Sequence, residues 1–274
     1  MSKEKKYFLG NKSLSSFPTE GEKFCHFDKE DLEDKTRELG KDLASLQELL
    51  YAQNKYKILI VLQGLDTSGK DGTVKHVFGA TNPQGVRVVS FKKPSELEAS
   101  HDFLWRIHKE VPSTGELVIF NRSHYEDYVV PAAHDLLPKK QLERRLDHLA
   151  HFEQMLIDND VILLKFFLHI SRKEQAKRLN ERLDDPSKHL KFNLSDLSER
   201  QFWKSYQKAY DTAIRATHTK DLPWYIIPAD SKSIRNYTIS KILVERLSAL
   251  KPEPQPMDPK ALRRVIAEAK KILK

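Results

Sequence analysis

The sequence predicts an α/β fold, a five-stranded parallel sheet flanked by helices, on three observations. Five short runs rich in branched or aromatic residues, at 58–62, 86–91, 116–120, 161–170 and 223–227, have the length and composition of strands buried on both faces. Stretches with apolar residues at helical spacing separate them, the alternation that builds βαβ units. The first run breaks at once into Gly64-Leu65-Asp66-Thr67-Ser68-Gly69-Lys70, the pattern G-x-x-x-x-G-K, which is a phosphate cradle when it joins a strand to a helix.

Residues 28–53 carry Leu32, Leu39, Leu43, Leu46 and Leu50 at helical spacing, so an amphipathic helix leads into the first strand. Gly64 and Gly69 let the next segment fold tightly around an anion. Successive N–H groups, a helix N-terminus and the Lys70 ammonium then point at phosphate oxygens. That helix is predicted over 70–80, and Asn82-Pro83-Gln84-Gly85 is turn chemistry before the second strand. Ser95 is the N-cap of a helix over 95–110, which Pro112 to Gly115 ends before the third strand. A helix over 137–158 precedes the fourth strand, after which Ser171 caps a basic helix and Glu174 completes a capping box. A long helix over 195–217 places Trp203, Tyr206, Tyr210 and Ala213 on one core-facing side, and a closing helix spans 231–247. Pro252, Pro254, Pro256 and Pro259 form a stiff linker to a basic terminal helix at 258–274, which is expected to pack on a neighbouring subunit. The organisation is thus an extension at 1–27, one α/β domain at 28–250 with a lid at about 172–193, and an appendage at 251–274.

With 274 residues, 39% of them hydrophobic, the chain can build a sizeable core without staples. A single cysteine, Cys25, excludes an intramolecular disulfide and suits a reducing compartment. No stretch approaches the length of a membrane span and the N-terminus lacks an apolar signal core, so the expected address is the cytoplasm. The excess of 47 Lys and Arg over 39 Asp and Glu favours polyanionic partners. No zinc-finger, recognition-helix or RNP pattern points to a specific nucleic acid. Nor is there an HExxH pattern or a nucleophile elbow.

Two positions in the loop depart from the usual pattern. Asp71 stands where a Ser or Thr hydroxyl normally meets magnesium. Asp66, inside the loop, would repel phosphate unless a cation sits between them, so it is either a metal ligand or activating group, or a turn residue bonding its own backbone. The third strand runs into Asn121-Arg122-Ser123-His124-Tyr125-Glu126-Asp127, at the edge of the sheet where open α/β folds bind ligands. A magnesium-orienting Asp usually ends this strand; here it is Asn121. The cationic, proline-broken stretch with Arg172, Lys177, Arg178 and Arg182 suits a lid that brings charge over a phosphate, or else is a solvated helix face.

Taken in order, these segments resemble the polyphosphate kinase 2 family, P-loop phosphotransferases related in architecture to thymidylate kinase. The resemblance spans 27–247. It rests on Gly64-Leu65-Asp66-Thr67-Ser68-Gly69-Lys70-Asp71-Gly72-Thr73, Asn82-Pro83-Gln84-Gly85-Val86-Arg87-Val88, His101-Asp102-Phe103-Leu104-Trp105-Arg106 and the segment from Asn121 to Asp127. It implies a P-loop kinase fold and reversible, magnesium-dependent phosphoryl transfer between inorganic polyphosphate and AMP, ADP or ATP, with manganese as a substitute ion and guanine nucleotides as further candidates. The family's loop aspartate and lysine fall on Asp66 and Lys70, and its second acidic position and arginine on Asn121 and Arg122. Asn-Arg-Ser in place of Asp-Arg-Ser resembles the branch that accepts AMP as well as ADP. The expected catalytic residues are Asp66, Lys70 and Arg122. Phosphate contacts are expected from Gly64, Ser68, Gly69, Lys70, Asp71, Gly72, Arg122, Arg178 and Arg182, and nucleotide contacts from Asn121, Tyr125, Glu126 and Lys92. Asp66, Glu126 and Asp127 are expected to hold the metal. The resemblance also implies a homodimer or homotetramer. Two rivals share the loop: an ATP-dependent nucleoside monophosphate kinase and a nucleotide-binding protein without turnover.

Overall fold

The structure is a computed structural model that describes residues 7–8, 12–22, 25–191, 194–253 and 258–273. Helix α1 (Lys29–Gln53) leads into β1 (Lys57–Gln63), α2 (Lys70–Val77) and β2 (Val86–Ser90). Two short helices, α3 (Glu96–Ala99) and α4 (Trp105–His108), precede β3 (Leu117–Asn121), then α5 (Glu126–Ala133), α6 (Lys139–Asp158) and β4 (Val161–His169). The chain continues through α7 (Arg172–Asp184), α8 (Leu194–Glu199), α9 (Trp203–Thr217), β5 (Trp224–Pro228), α10 (Lys232–Ser248) and α11 (Pro259–Ile272).

All five predicted strands pair in parallel, in the order β2-β3-β1-β4-β5. Register decides where chemistry can sit. Leu62 lies opposite Asn121 on one side and Phe166 on the other, so the loops after β1, β3 and β4 leave the sheet at one edge. The central strands are buried at every position but Lys57, Asn121 and Ile162, as their apolar runs require. Asp28 caps α1 by accepting from the Asp31 N–H at 2.9 Å, and Leu32, Leu43 and Leu50 bury its inner stripe.

Several elements differ from the sequence reading. The helix expected over 95–110 is two short pieces, because Asp102 Oδ1 accepts from the Leu104 N–H at 2.9 Å and turns the chain between them. The helix expected over 195–217 is interrupted by a 3₁₀ turn at Arg200–Phe202. Helix α5, to which the sequence reading assigns no element, follows β3 almost directly. The capping box at Ser171 is half formed. Ser171 Oγ takes the Glu174 N–H at 3.0 Å, but the Glu174 carboxylate turns to Arg178 and the Ser171 N–H donates to Asp230.

The described residues before α1 pack against the domain. Leu14 and Phe17 are buried in the main core, and the buried His169 donates from Nε2 to the Phe17 carbonyl at 3.2 Å. Burial pushes the His169 imidazole down to about 4. At the other end α11 exposes Leu262, Val265 and Ile266. Of the expected lid, linker and terminal helix, 192–193, Pro254, Pro256 and Lys274 lie outside the described residues. Among the described residues no helix is long and apolar enough to cross a membrane.

Candidate active site

The loop between β1 and α2 takes backbone conformations that only particular residues accept. Gly64 and Gly69 have φ of 151° and 101°. A Cβ on Gly69 would lie 1.9 Å from Nη1 of the buried Arg235, and one on Gly64 2.7 Å from the Leu168 carbonyl oxygen. Gly69→Ala should therefore lose about 1 to 3 kcal/mol of stability together with most of its turnover, because the helix N-terminus cannot form without displacing Arg235. Chemical denaturation and an assay check this; unchanged stability and turnover would show that the loop relaxes around the methyl.

Lys70 is buried at the mouth of this loop, its Nζ donating to the carbonyls of Gly64 at 2.7 Å and Leu65 at 3.2 Å. Burial lowers its ammonium pKa and Arg122 adds to the effect, while Asp66, Glu126 and Asp71 pull it back up. Thr67 Oγ1, Ser68 Oγ and Thr73 Oγ1 are buried without a partner in the chain, hydroxyls that suit an anion or its counter-ion.

Two buried arginines hold the loop from behind. Arg178 donates to the carbonyls of Thr67 at 2.9 Å, Ser68 at 3.3 Å, Ala229 at 2.7 Å and Asp230 at 2.8 Å, with Glu174 bonded to its Nε. The expectation of a lid cation reaching over phosphate thus differs from where Arg178 lies, because its five N–H groups meet the chain itself. Arg235 donates to the Ser68 carbonyl at 3.2 Å and to Asn236 Oδ1 at 2.9 Å. Burial and the neighbouring Arg178 push its pKa down to about 9. Gln175 completes the support by donating to the Asp66 carbonyl at 3.1 Å. The sequence reading missed Arg235; its only signal was a cation set among the apolar positions of α10.

Across the sheet edge, the end of β3 meets both loop carboxylates. Asn121 Nδ2 donates to Asp71 Oδ1 at 2.6 Å, and Arg122 Nη2 donates to Asp66 Oδ1 at 2.7 Å. Arg122 reaches Asp66 from a left-handed backbone with φ of 64°, its N–H bonded to the Leu62 carbonyl at 3.1 Å. Glu126, at the start of α5, is half-buried. Burial raises its carboxyl pKa against the opposing pull of Arg122 and Lys70, with Asp66 adding to the rise. When the Gln63 amide oxygen takes the Ser123 N–H, its nitrogen lies 3.0 Å from Glu126 Oε1. Two contacts, Asn121–Asp71 and Arg122–Asp66, therefore tie the end of β3 to the loop, and the charges of Lys70 and Glu126 act on this cluster.

Other expected site residues lie outside it. Tyr125 is buried, its hydroxyl donating to Glu153 Oε1 at 2.6 Å, and it faces the core in place of a nucleotide. Asp127 pairs with the buried Arg106 at 2.9 Å, which takes it from the expected metal trio. Among the described residues no three His, Cys, Asp or Glu side chains are grouped to hold a metal. Lys92 is exposed, and its carbonyl accepts from Arg106 at 2.7 Å. Arg182 is half-buried on α7. The remaining carboxylates, Asp66 and Glu126, fit magnesium, which uses one or two carboxylates and completes its shell with phosphates and water.

The site sets a phosphate loop beside an arginine and carboxylates, and known proteins resemble the chain as a whole. The polyphosphate kinase 2 family model matches residues 26–255. The AMP/ADP-polyphosphate phosphotransferase of Meiothermus ruber is 52% identical over 219 residues, 80% of this chain and 82% of that protein. The ADP-polyphosphate phosphotransferase of Rhodopseudomonas palustris is 38% identical over 264 residues, 91% of each. The crystal structure of polyphosphate kinase 2 from Arthrobacter aurescens superposes with a TM-score of 0.92 at 37% identity, covering 98% of this chain and 97% of that one. Sequence, fold and loop geometry thus converge, and the chain belongs to the polyphosphate kinase 2 family.

Proposed function

We propose that this chain is a polyphosphate:nucleotide phosphotransferase that moves phosphoryl groups reversibly between inorganic polyphosphate and AMP or ADP. The carrying observation is the Arg122–Asp66 contact, which joins the phosphate loop to the end of β3 at 2.7 Å. Phosphoryl transfer needs in-line positioning and charge neutralisation more than covalent chemistry, because a nucleotide phosphate is already an anionic nucleophile. The loop N–H groups and the Lys70 ammonium take the phosphates of one substrate. Arg122 neutralises charge at the transferring group. Asp66 and Glu126 would hold magnesium, which would supply charge neutralisation for the phosphates.

The basic balance suits a long polyanion. Polyphosphate affinity should therefore fall at least about tenfold between ~50 and ~200 mM salt, as counterions released on binding are no longer gained. Double-stranded DNA at equal phosphate concentration should compete poorly. Displacement of polyphosphate by DNA would favour a nucleic-acid role.

The Asn121 amide bears on acceptor choice. Asn121 and Asp71 share a hydrogen bond that a second carboxylate at 121 would replace by repulsion or by a pinned cation. AMP brings its acceptor phosphate one unit closer to the base than ADP, so an enzyme using both needs tolerance here. Asn121→Asp should lower kcat/KM for AMP more than for ADP; an equal fall, or a larger fall for ADP, refutes this. The exposed apolar row of α11 supports a homo-oligomer, dimer or tetramer.

A coupled assay with AMP, ADP, GMP and GDP against polyphosphate tests the acceptor reading. Phosphorylation of AMP and ADP is expected, and guanine nucleotides are expected as weaker acceptors. Failure of AMP with ADP active would restrict the chain to diphosphates.

A further inference from the structure

Behind Arg122 lies a polar cluster that the chemistry above does not use. Glu153 on α6 and Lys165 on β4 are fully buried and paired at 2.6 Å. Lys165 also donates to the Thr217 carbonyl at 2.8 Å, at the end of α9. Glu153 Oε1 receives the Tyr125 hydroxyl at 2.6 Å and faces His124 Nε2 at 3.2 Å. The Tyr125 hydroxyl lies 2.7 Å from Thr217 Oγ1, which in turn takes the Trp224 indole N–H at 2.9 Å. Three elements, α6, α9 and β5, thus converge on His124 and Tyr125, which begin two residues past Arg122, with Lys165 of β4 holding Glu153 and Thr217 from behind.

A buried ion pair is a poor device for stability, since an apolar pair of similar volume serves as well or better. A left-handed backbone at a residue other than glycine persists only where its surroundings over-determine it, and Arg122 has φ of 64°. The segment is fixed on both sides of that strain. Its N–H bonds Leu62, Ser123 Oγ lies 3.0 Å from the Gln63 amide, and His124 and Tyr125 are held by Glu153. Glu126 directly follows the anchored pair, its Oε1 3.0 Å from the Gln63 amide nitrogen when the Gln63 oxygen accepts from Ser123.

We propose that the Glu153–Lys165 pair is a positioning device for Arg122, acting through His124 and Tyr125; this rests on the role given to Arg122 above. Glu153→Leu with Lys165→Met removes both charges at similar volume and strands neither. Its melting temperature should stay within a few degrees of the parent. Its kcat should fall roughly 10- to 100-fold at unchanged KM for polyphosphate, because a small misplacement of a charge donor is felt in the chemical step. Glu153→Gln with Lys165→Met keeps an acceptor for the Tyr125 hydroxyl and should recover most of the loss.

The decisive readout is a cycle in an Arg122→Ala background, where the Leu/Met exchange should cost less than about threefold, since the residue it positions is gone. The same fall in both backgrounds, or full kcat in the Leu/Met variant, overturns the inference while leaving the role of Arg122 intact. Undiminished turnover of Arg122→Ala by itself removes that role and the inference with it. Should the Leu/Met variant fail to fold, Tyr125→Phe carries the same cycle. It should cost about 3- to 10-fold alone and nothing in the Arg122→Ala background. Equal losses in the two backgrounds overturn the inference.

Discussion

Lys70→Ala is expected to lower turnover by roughly 100-fold or more, the loss seen when a preorganised charge donor is removed from a transferring group. Lys70 lies in the cradle already, bonded to the Gly64 and Leu65 carbonyls, so its charge is in place before a phosphate arrives. Alanine leaves those carbonyls short of a donor but also removes a desolvated ammonium, so the melting temperature should move little. Activity within about threefold of the parent at unchanged melting would remove Lys70 from the mechanism.

Asp66→Asn is expected to reduce magnesium-dependent transfer by a similar factor, about 100-fold, while polyphosphate binding is kept or tightened. Asparagine retains an oxygen for Arg122 but removes one of the two carboxylates that fit the metal, and with it a negative charge facing an anion. The Asp66 and Arg122 side chains are 28% and 42% exposed, so their pairing contributes no more than about 1 kcal/mol to stability and a large kinetic loss cannot be a folding effect. Titration of polyphosphate into the variant checks the binding half. Weaker binding with normal turnover would return Asp66 to the role of a turn residue.

The strands were legible because burial on both faces leaves an unmistakable apolar run, and the loop because glycine, glycine and lysine answer to local backbone and charge requirements. Asp66, Lys70, Asn121 and Arg122 could be found by motif for the same reason. Tyr125 and Asp127 could not be sorted from Glu126 by proximity in sequence. At the start of α5 successive side chains diverge by about 100°, so Glu126 faces the loop while its neighbours turn to Glu153 and Arg106. Arg178 reads as a surface cation because it has Glu174 four residues before it, yet Arg178 is buried under the loop and Glu174 half-buried beside it. Gln63 carries no local signal, and Arg235 only that of a cation among apolar positions, since the loop and strand groups they hold, the Ser68 carbonyl and Ser123 Oγ, lie 167 and 60 residues away.

The donor tests the reading most directly. The purified 274-residue chain, given AMP, magnesium and polyphosphate, should form ADP and then ATP, with one phosphoanhydride bond to nucleotide for each unit lost from the polymer. ATP in place of polyphosphate should phosphorylate AMP at least about tenfold more slowly, a difference of about 1.4 kcal/mol in the barrier. Rapid transfer from ATP with polyphosphate inert would make the chain a nucleoside monophosphate kinase and contradict the assignment.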